Sequence, residues 1–450
     1  MEKNSPRIIR SWAMYDWANS VYPLVISSAI FPIYYTSVTQ TKDAAGVVHD
    51  TVQFLGMEFK NTVVSNYALA LSFLIICFLS PLLSGIADSR GNKKRFMQFF
   101  CYLGATACAG LYFLTGNPSS FSTGILFIFL ASLGFWSSLV FYNSFLPEIA
   151  DNENMDRVSA KGFSFGYIGS STLLILCFLF LADFDKDNVP DIPAMLGIKS
   201  MGEATRWCFV GVALWWIGFA QIFFLNIKEK KRAANGESVL KGFHELRKVF
   251  NQVQKDRSIK TYLTAFFFYS MGVQVVMLVA AYFGAKLLEM PPGKLLPVIL
   301  IIQFVGIAGS LLFSRISKWK GNKFALSITL IVWVGICIGA WFDAEYKSET
   351  GFFILAFFVG LVMGGIQSMS RSTYGKLIPE NTQDTASFFS FYDITEKFSM
   401  VIGLFLFAWV EQHSPEKGMQ NSVLVLIVFF VLGFILLQPL KDKRLKEYAD

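Results

Sequence analysis

The sequence predicts an all-α integral membrane protein, with twelve transmembrane helices in two pseudo-symmetric six-helix bundles. Three observations carry that prediction. Hydrophobic residues fill 54% of the 450 positions against 16% charged, whereas a soluble domain carries about a quarter charged. Uncharged runs of about 18 residues or more, long enough to cross a hydrocarbon core of about 30 Å, recur along the whole chain. Short motifs also repeat in the same order in the two halves.

The spans follow in order. Span 1, at about 11–38, holds Asp16 and two prolines, Pro23 and Pro32, which remove backbone donors and are expected to kink it. Val63–Ala87 gives span 2. The uncharged stretch Phe96–Pro147 is divided by Thr115-Gly-Asn-Pro-Ser-Ser120 into spans 3 and 4. Gly162–Ala182, Trp207–Ile227, Thr261–Ala285, Leu295–Ser314, Phe324–Phe342 and Gly351–Ser370 give spans 5 to 10. Span 11, at about 386–409, contains charges, and Asn421–Gln438 is span 12. Backbone groups in lipid must bond within their own segment, so runs this long are helices. The alternation of a membrane β-barrel strand is absent. Trp12, Trp207, Trp319, Trp341 and Trp409 fall near span ends, where an interfacial belt is expected.

Lys and Arg fix the orientation. With a cytoplasmic N-terminus, cytoplasmic segments hold 29 of the 39 basic residues, opposite-side segments hold 9, and Lys397 lies within a span. This positive-inside bias places both termini in the cytoplasm. The net charge of +7 then reflects topology and attraction to anionic lipid headgroups, not nucleic-acid binding. The basic segment 228–260 is a linker between spans 6 and 7, leaving 1–227 and 261–450 as the two bundles, the second with a short tail. Six cysteines lie in apolar runs and three histidines are scattered without metal-ligand spacing. Neither disulfide, metal nor cofactor is expected. The acidic run Asp183–Asn188 has Ala194 where a calcium loop needs Glu, and reads as a solvated loop.

Ser84-Gly-Ile-Ala-Asp-Ser-Arg-Gly-Asn-Lys93 between spans 2 and 3 matches Ser314-Arg-Ile-Ser-Lys-Trp-Lys-Gly-Asn-Lys323 between spans 8 and 9. Leu146-Pro-Glu148 likewise matches Ile378-Pro-Glu380, and Phe163-Ser-Phe165 matches Phe389-Ser-Phe391. Duplicated six-helix halves with a Gly-and-basic turn in each resemble the major facilitator superfamily, whose turn reads Gly-x-Leu-Ala-Asp-Arg-x-Gly-Arg-Lys. Asp88, Gly91 and Lys93 occupy its acidic, glycine and basic positions. The resemblance implies a cytoplasmic hinge, in which Gly permits the tight turn and acid and bases pair across the bundles in one conformation. Lys318 replaces the acid in the second copy, so the charge latch is expected to be stronger in the first half. Glu148 and Glu380, each after Pro at equivalent span ends, are expected as gate residues.

Asp16-Trp-Ala-Asn-Ser-Val-Tyr22 resembles the opening signature of one branch, the vacuole-effluxer-like family. Phe141-Tyr-Asn-Ser-Phe-Leu-Pro-Glu148, Arg157-Val-Ser159 with Gly166-Tyr-Ile-Gly169, and Gly364-Gly-Ile-Gln-Ser-Met-Ser-Arg-Ser372 through Tyr392 and Lys397 are similar to its later blocks. Tyr269-Ser-Met-Gly-Val-Gln274 lacks the Asp usual in that family's span 7. Membership implies transport, with amino-acid export in the fungal members.

Charges at mid-membrane cost about 2.5–3.5 kcal/mol on insertion scales, so they face a cavity or a partner. In span 11, Asp393 and Lys397 are four apart and can pair on one face, which leaves Glu396 to find a cation or a proton. Arg371, on one helical face with Gln367 and Tyr374, is expected to meet Glu396 or a solute carboxylate; a structural salt-bridge set is the plain alternative. In span 1, Asp16, Asn19 and Ser20 share a face, with Tyr22 nearby. Tyr142, Asn143, Tyr167, Tyr269, Gln274 and Tyr392 complete an expected polar-aromatic lining, although interhelical hydrogen bonding accounts for any single one equally well.

The function expected is secondary transport of a small polar solute, amino acids by family resemblance, through rocking of the halves about a midplane site. Protons, through Asp16, Glu396 or Asp393, are the expected coupling ion. A lipid or amphiphile flippase on the same fold, with a lateral opening lined by Phe, is the alternative. An enzyme is not expected: the chain lacks a nucleophile–base pair, a metal cluster or a phosphate loop. The expected setting is a multi-pass monomer in a bacterial inner membrane.

Overall fold

The computed structural model describes residues 3–42, 48–49, 51–54, 56–182, 192–229, 239–288, 290, 292–380, 382–414, 417–441 and 445. The acidic run from Asp183 lies outside them. Among the described residues eleven helices are long and apolar enough to cross a membrane: span 1 (Pro6–Thr39), span 2 (Val63–Arg90), span 3 (Lys93–Phe113), span 4 (Ser120–Ile149), span 5 (Met155–Ala182), span 6 (Met201–Asn226), span 7 (Arg257–Ala280), span 8 (Pro297–Lys320), span 9 (Asn322–Tyr346), span 10 (Glu349–Leu377) and span 12 (Gly418–Leu437). Span 11 (Thr385–His413) is a 29-residue helix of the same order of length, set apart by Asp393, Glu396 and Lys397.

Span 1 is wound unusually. Tyr22–Ile30 is π-helical between two α-helical stretches. Pro23 and Pro32 each lack the N–H that an α-helix would use there, and the Ser28 hydroxyl donates to the Pro23 carbonyl at 2.8 Å. The expected break therefore takes the form of a wider helical turn. Between spans 1 and 2 the chain forms two short antiparallel hairpins, Thr41–Lys42 with Val48–His49 and Thr51–Phe54 with Met57–Lys60. Gly56 supplies the positive φ of the second turn.

Two buried apolar cores result. One is built from residues between Ile9 and Ile227 together with Ala386, the other from residues between Val249 and Leu445. Within the second half, spans 8 and 10 meet at glycines: a Cβ on Gly309 would lie 2.0 Å from the Leu361 carbonyl, and one on Gly364 2.0 Å from that of Gly306. This is the small-residue contact by which lipid-embedded helices gain packing. Between the halves, spans 5 and 8, 5 and 10, 2 and 11, and 4 and 11 pack together. The linker carries a helix, Val239–Lys255, that lies along span 2 and reaches span 11 through Lys248 to Asp384 at 3.0 Å.

Candidate transport site between the two halves

Among the described residues the seam holds several groups of buried charges, two of them built around Arg371 and Lys397. The first joins span 1 to span 10. Arg371 is 3% exposed, and its Nη1 and Nη2 donate to Asp16 Oδ2 at 3.2 and 3.3 Å. It also donates to Asn143 Oδ1 at 3.3 Å, to Ser159 Oγ at 3.0 Å and to the Ser159 carbonyl at 2.9 Å. Its guanidinium stacks near the rings of Phe163, Trp12 and Tyr142, at 4.1, 4.8 and 5.6 Å. Tyr142 donates to the same Asp16 oxygen at 2.7 Å. Asp16 is thus a buried ion-pair partner, and Arg371 pairs across the halves with Asp16 rather than with Glu396. Trp12, expected at an interfacial belt, is fully buried and stacked on Tyr142, because it forms one wall around the guanidinium. Trp319 and Trp409 are exposed, as a belt requires.

The second group sits on span 11. Lys397 Nζ lies 2.9 Å from Glu396 Oε2, 3.5 Å from Asp393 Oδ1 and 3.4 Å from the centre of the Trp136 ring of span 4. Gln274 of span 7 donates to Glu396 Oε1 at 3.1 Å. Glu396 is therefore not left over from an Asp393–Lys397 pair; it takes the shorter contact to Lys397. Elsewhere along the seam Tyr167 donates to Gln367 at 2.6 Å, and Ser164 and Ser310 meet at 2.8 Å, both across the halves.

Other expected lining residues turn elsewhere. Tyr22 packs in the first half against Phe135 and Trp216, and Asn19 is 1% exposed with its Nδ2 unpartnered. Tyr269 bonds Tyr262 and Ser370 inside the second half, and Tyr392 stacks on Phe266.

A latch closes the end of the seam nearest the N-terminus. Span 2 ends at Gly91, whose φ of 60° is the left-handed cap that glycine adopts without strain. One turn earlier, Asp88 accepts from the Ser387 backbone N–H at 2.7 Å, from its hydroxyl at 2.8 Å and from the Ala386 N–H at 3.3 Å. The first half thereby caps span 11 of the second. Lys93 pairs with Glu148 and donates to Thr385 at 2.8 Å, and Asn152 donates to Glu380 at 2.9 Å. A cavity of about 210 Å³ lies between Glu148 and Glu380.

The second-half turn, expected to latch more weakly for want of an acid, is supplied with one by the first half. Asp156 of span 5 accepts from Lys376 at 2.7 Å, Ser317 at 2.6 Å and Asn322 at 2.8 Å. Asp156, Lys376, Asn322, Ser159 and Trp136 are seam residues that sequence reasoning missed. The missing acid at Lys318 was the available signal, since a basic turn without one must find it elsewhere.

Two carboxyl groups outside the spans carry shifted equilibria. Burial pushes Glu229 upward, against the Lys94 and Lys93 backbone N–H groups that its carboxylate caps. Asp151 is held below its ordinary value: burial opposes the shift, and bonds from Asn154 and Asn4 outweigh it.

Paired six-helix halves, helix-capping turns and charges meeting across one seam define a transporter of the major facilitator superfamily, the class that moves small solutes by secondary transport. The crystal structure of the transporter FucP in its outward conformation superposes with a TM-score of 0.67 at 12% identity, covering 98% of this chain and 99% of that one; the likeness is one of fold. The model of the family described as "Vacuole effluxer Atg22 like" matches residues 4–450, and the chain belongs to that family. A Bacillus subtilis (strain 168) relative, "Uncharacterized MFS-type transporter YxiO", is 28% identical over 97% of this chain and 95% of its own length. Autophagy-related protein 22-1 of Penicillium rubens is 22% identical over 92% of this chain and 80% of its own. The protein is a multi-pass membrane transporter and not an enzyme.

Proposed function

We propose that the chain moves small zwitterionic solutes, amino acids foremost, by alternating access in a bacterial inner membrane, driven by protons, as a monomer with both termini in the cytoplasm. Residues 1–227 and 261–450 are the rocking bodies, and 228–260 tethers them. The observation that carries this reading is the Arg371–Asp16 pair, buried on both sides (3% and 7% side-chain exposure) and contributed by opposite halves. Breaking a buried pair leaves uncompensated charge, costing about 3–5 kcal/mol, unless a replacement partner is present. An amino acid carries both replacements: its carboxylate fits Arg371, and its ammonium fits the carboxylates of the seam. Asp88, Gly91, Lys93, Glu148 and Glu380 serve as the gate that parts at the terminal end. The family's description as effluxers supports movement of solute out of the compartment it serves.

Counterflow of labelled amino acids in proteoliposomes tests this. Exchange well above protein-free vesicles is expected, with loss of about tenfold or more in Arg371→Ala. No exchange with any amino acid would remove the solute class, and wild-type exchange by Arg371→Ala would remove the ion pair from the pathway.

A further inference from the structure

We infer that the Asp393–Glu396–Lys397 cluster accepts either one proton or one organic ammonium group, never both together, so that the chain exchanges protons for amine-bearing solutes instead of carrying the two in one direction. This rests on the transport reading above and adds the sense of the coupling.

The argument is one of charge and space. Two carboxylates share one ammonium, so the fully ionised cluster carries one net negative charge. The Asp393 side chain is 8% exposed, and its Oδ2 is buried without a hydrogen-bond partner. A net charge and an unmet oxygen at mid-membrane are both costly. One added positive charge cancels the first, and a proton on Asp393 also changes the second. The ammonium end of a solute brings the same charge. Both at once would leave a net positive cluster, so one excludes the other.

The surroundings do not alter this arithmetic. Cys77 of span 2 and Tyr269 of span 7 lie within electrostatic reach, as does Tyr392 of span 11 itself; thiols and phenols are ordinarily neutral near pH 7. Trp136 and Gln274 are uncharged, span 12 has no ionisable residue, and Arg371 is neutralised by Asp16. A metal cation fits poorly, because Lys397 already occupies the place between the carboxylates and Gln274 presents a donor. Glu396 keeps 21% of its side-chain surface open. A carboxylate exposed to lipid would be costly, so this opening faces the path. Lys397 lies against Trp136 of the first half, which places the exchange on a contact between the rocking bodies.

The test uses the full chain in proteoliposomes, with labelled leucine, glutamate and lysine, and the 2-hydroxy analogue of leucine as an amine-free control. Exclusion predicts that half-saturating leucine rises on acidification, by up to about tenfold per pH unit where the cluster titrates. It also predicts that adding leucine to the protein in weakly buffered detergent releases protons to a pH dye. Asp393→Asn holds the cluster neutral and should abolish both effects, and Glu396→Gln serves as the second variant. Tighter binding on acidification, proton uptake on adding leucine, or wild-type pH profiles in both variants would overturn the exchange. The sign of proton movement in the wild type decides the matter even if a variant fails to fold. Counterflow that ignores pH defeats this inference and the proton drive but leaves amino-acid transport standing, whereas absence of any counterflow defeats the transport reading beneath it.

Discussion

Arg371 is enclosed on every side by groups its chemistry can use: a carboxylate, an amide, a hydroxyl and a carbonyl in its plane, and three aromatic rings near its faces. The enclosure depends on Gly162. A Cβ there would stand 2.4 Å from Asp16 Oδ2 and 2.8 Å from both Arg371 Nη2 and the Trp12 ring. Gly162→Ala is therefore expected to force the pair apart, costing about 1–3 kcal/mol, and to lower counterflow as Arg371→Ala does; thermal melts and the exchange assay check it together. A smaller effect is expected at Asp151. Its lowered folded-state value means that the unfolded chain takes up protons first, so its contribution is present above about pH 4 and disappears as the pH falls through the folded value. The residue is largely solvated, so the contribution stays below about 1 kcal/mol. The Tm gap between wild type and Asp151→Asn should close as the pH is lowered from 6 toward 3. Asp16 and Arg371 both stood out in the sequence as charges in or at the ends of apolar spans. Their pairing was not legible there, because they are 355 positions apart and each had nearer candidates in sequence.

Span 11 shows how an element can be finished by another part of the chain. Asp384 precedes its first turn but makes no side-chain cap bond there, and Asp88 from span 2 supplies those acceptors instead. Unpaired N–H groups at a helix start favour an anion. Asp88→Ala is expected to remove about 1 kcal/mol from the latched arrangement, roughly a fivefold shift in its population, seen as faster labelling of single cysteines placed on the first turn of span 11. Unchanged labelling would show that the cap does not hold the latch. The acid-and-glycine turn stood out in the sequence. What it would cap did not, since an N-cap is normally sought just before its own helix. Span 1 is similar: its prolines announced a disturbance, while the π-helical form it takes rests on the packing around it.

At the scale of the whole molecule, the halves are held by polar contacts set along one seam: Ser164 with Ser310, Tyr167 with Gln367, and Asp156 with Lys376. A transporter that works by rocking must break such contacts in each cycle. Oxidising a Ser164→Cys/Ser310→Cys double variant should lock spans 5 and 8 and stop counterflow, and reductant should restore it. Exchange that continues after full cross-linking would place the moving boundary elsewhere. The internal repeat made two halves readable, but it also led to the expectation of an unequal latch. Asp156 corrects that expectation, because symmetry of position does not require each half to keep its own acid.

Composition, apolar run length and the repeat determined the membrane environment, the helices and their number, since each follows from the solvent a segment of chain must face. Which charges meet, which tyrosines turn into a core, and what Asp88 and Asp156 bind were decided only by the tertiary structure. The contacts across the halves, Asp16 with Arg371, Asp88 with Ser387 and Asp156 with Lys376, join residues more than two hundred positions apart, and burial among lipid-embedded helices selects partners by proximity in space, which local sequence does not record.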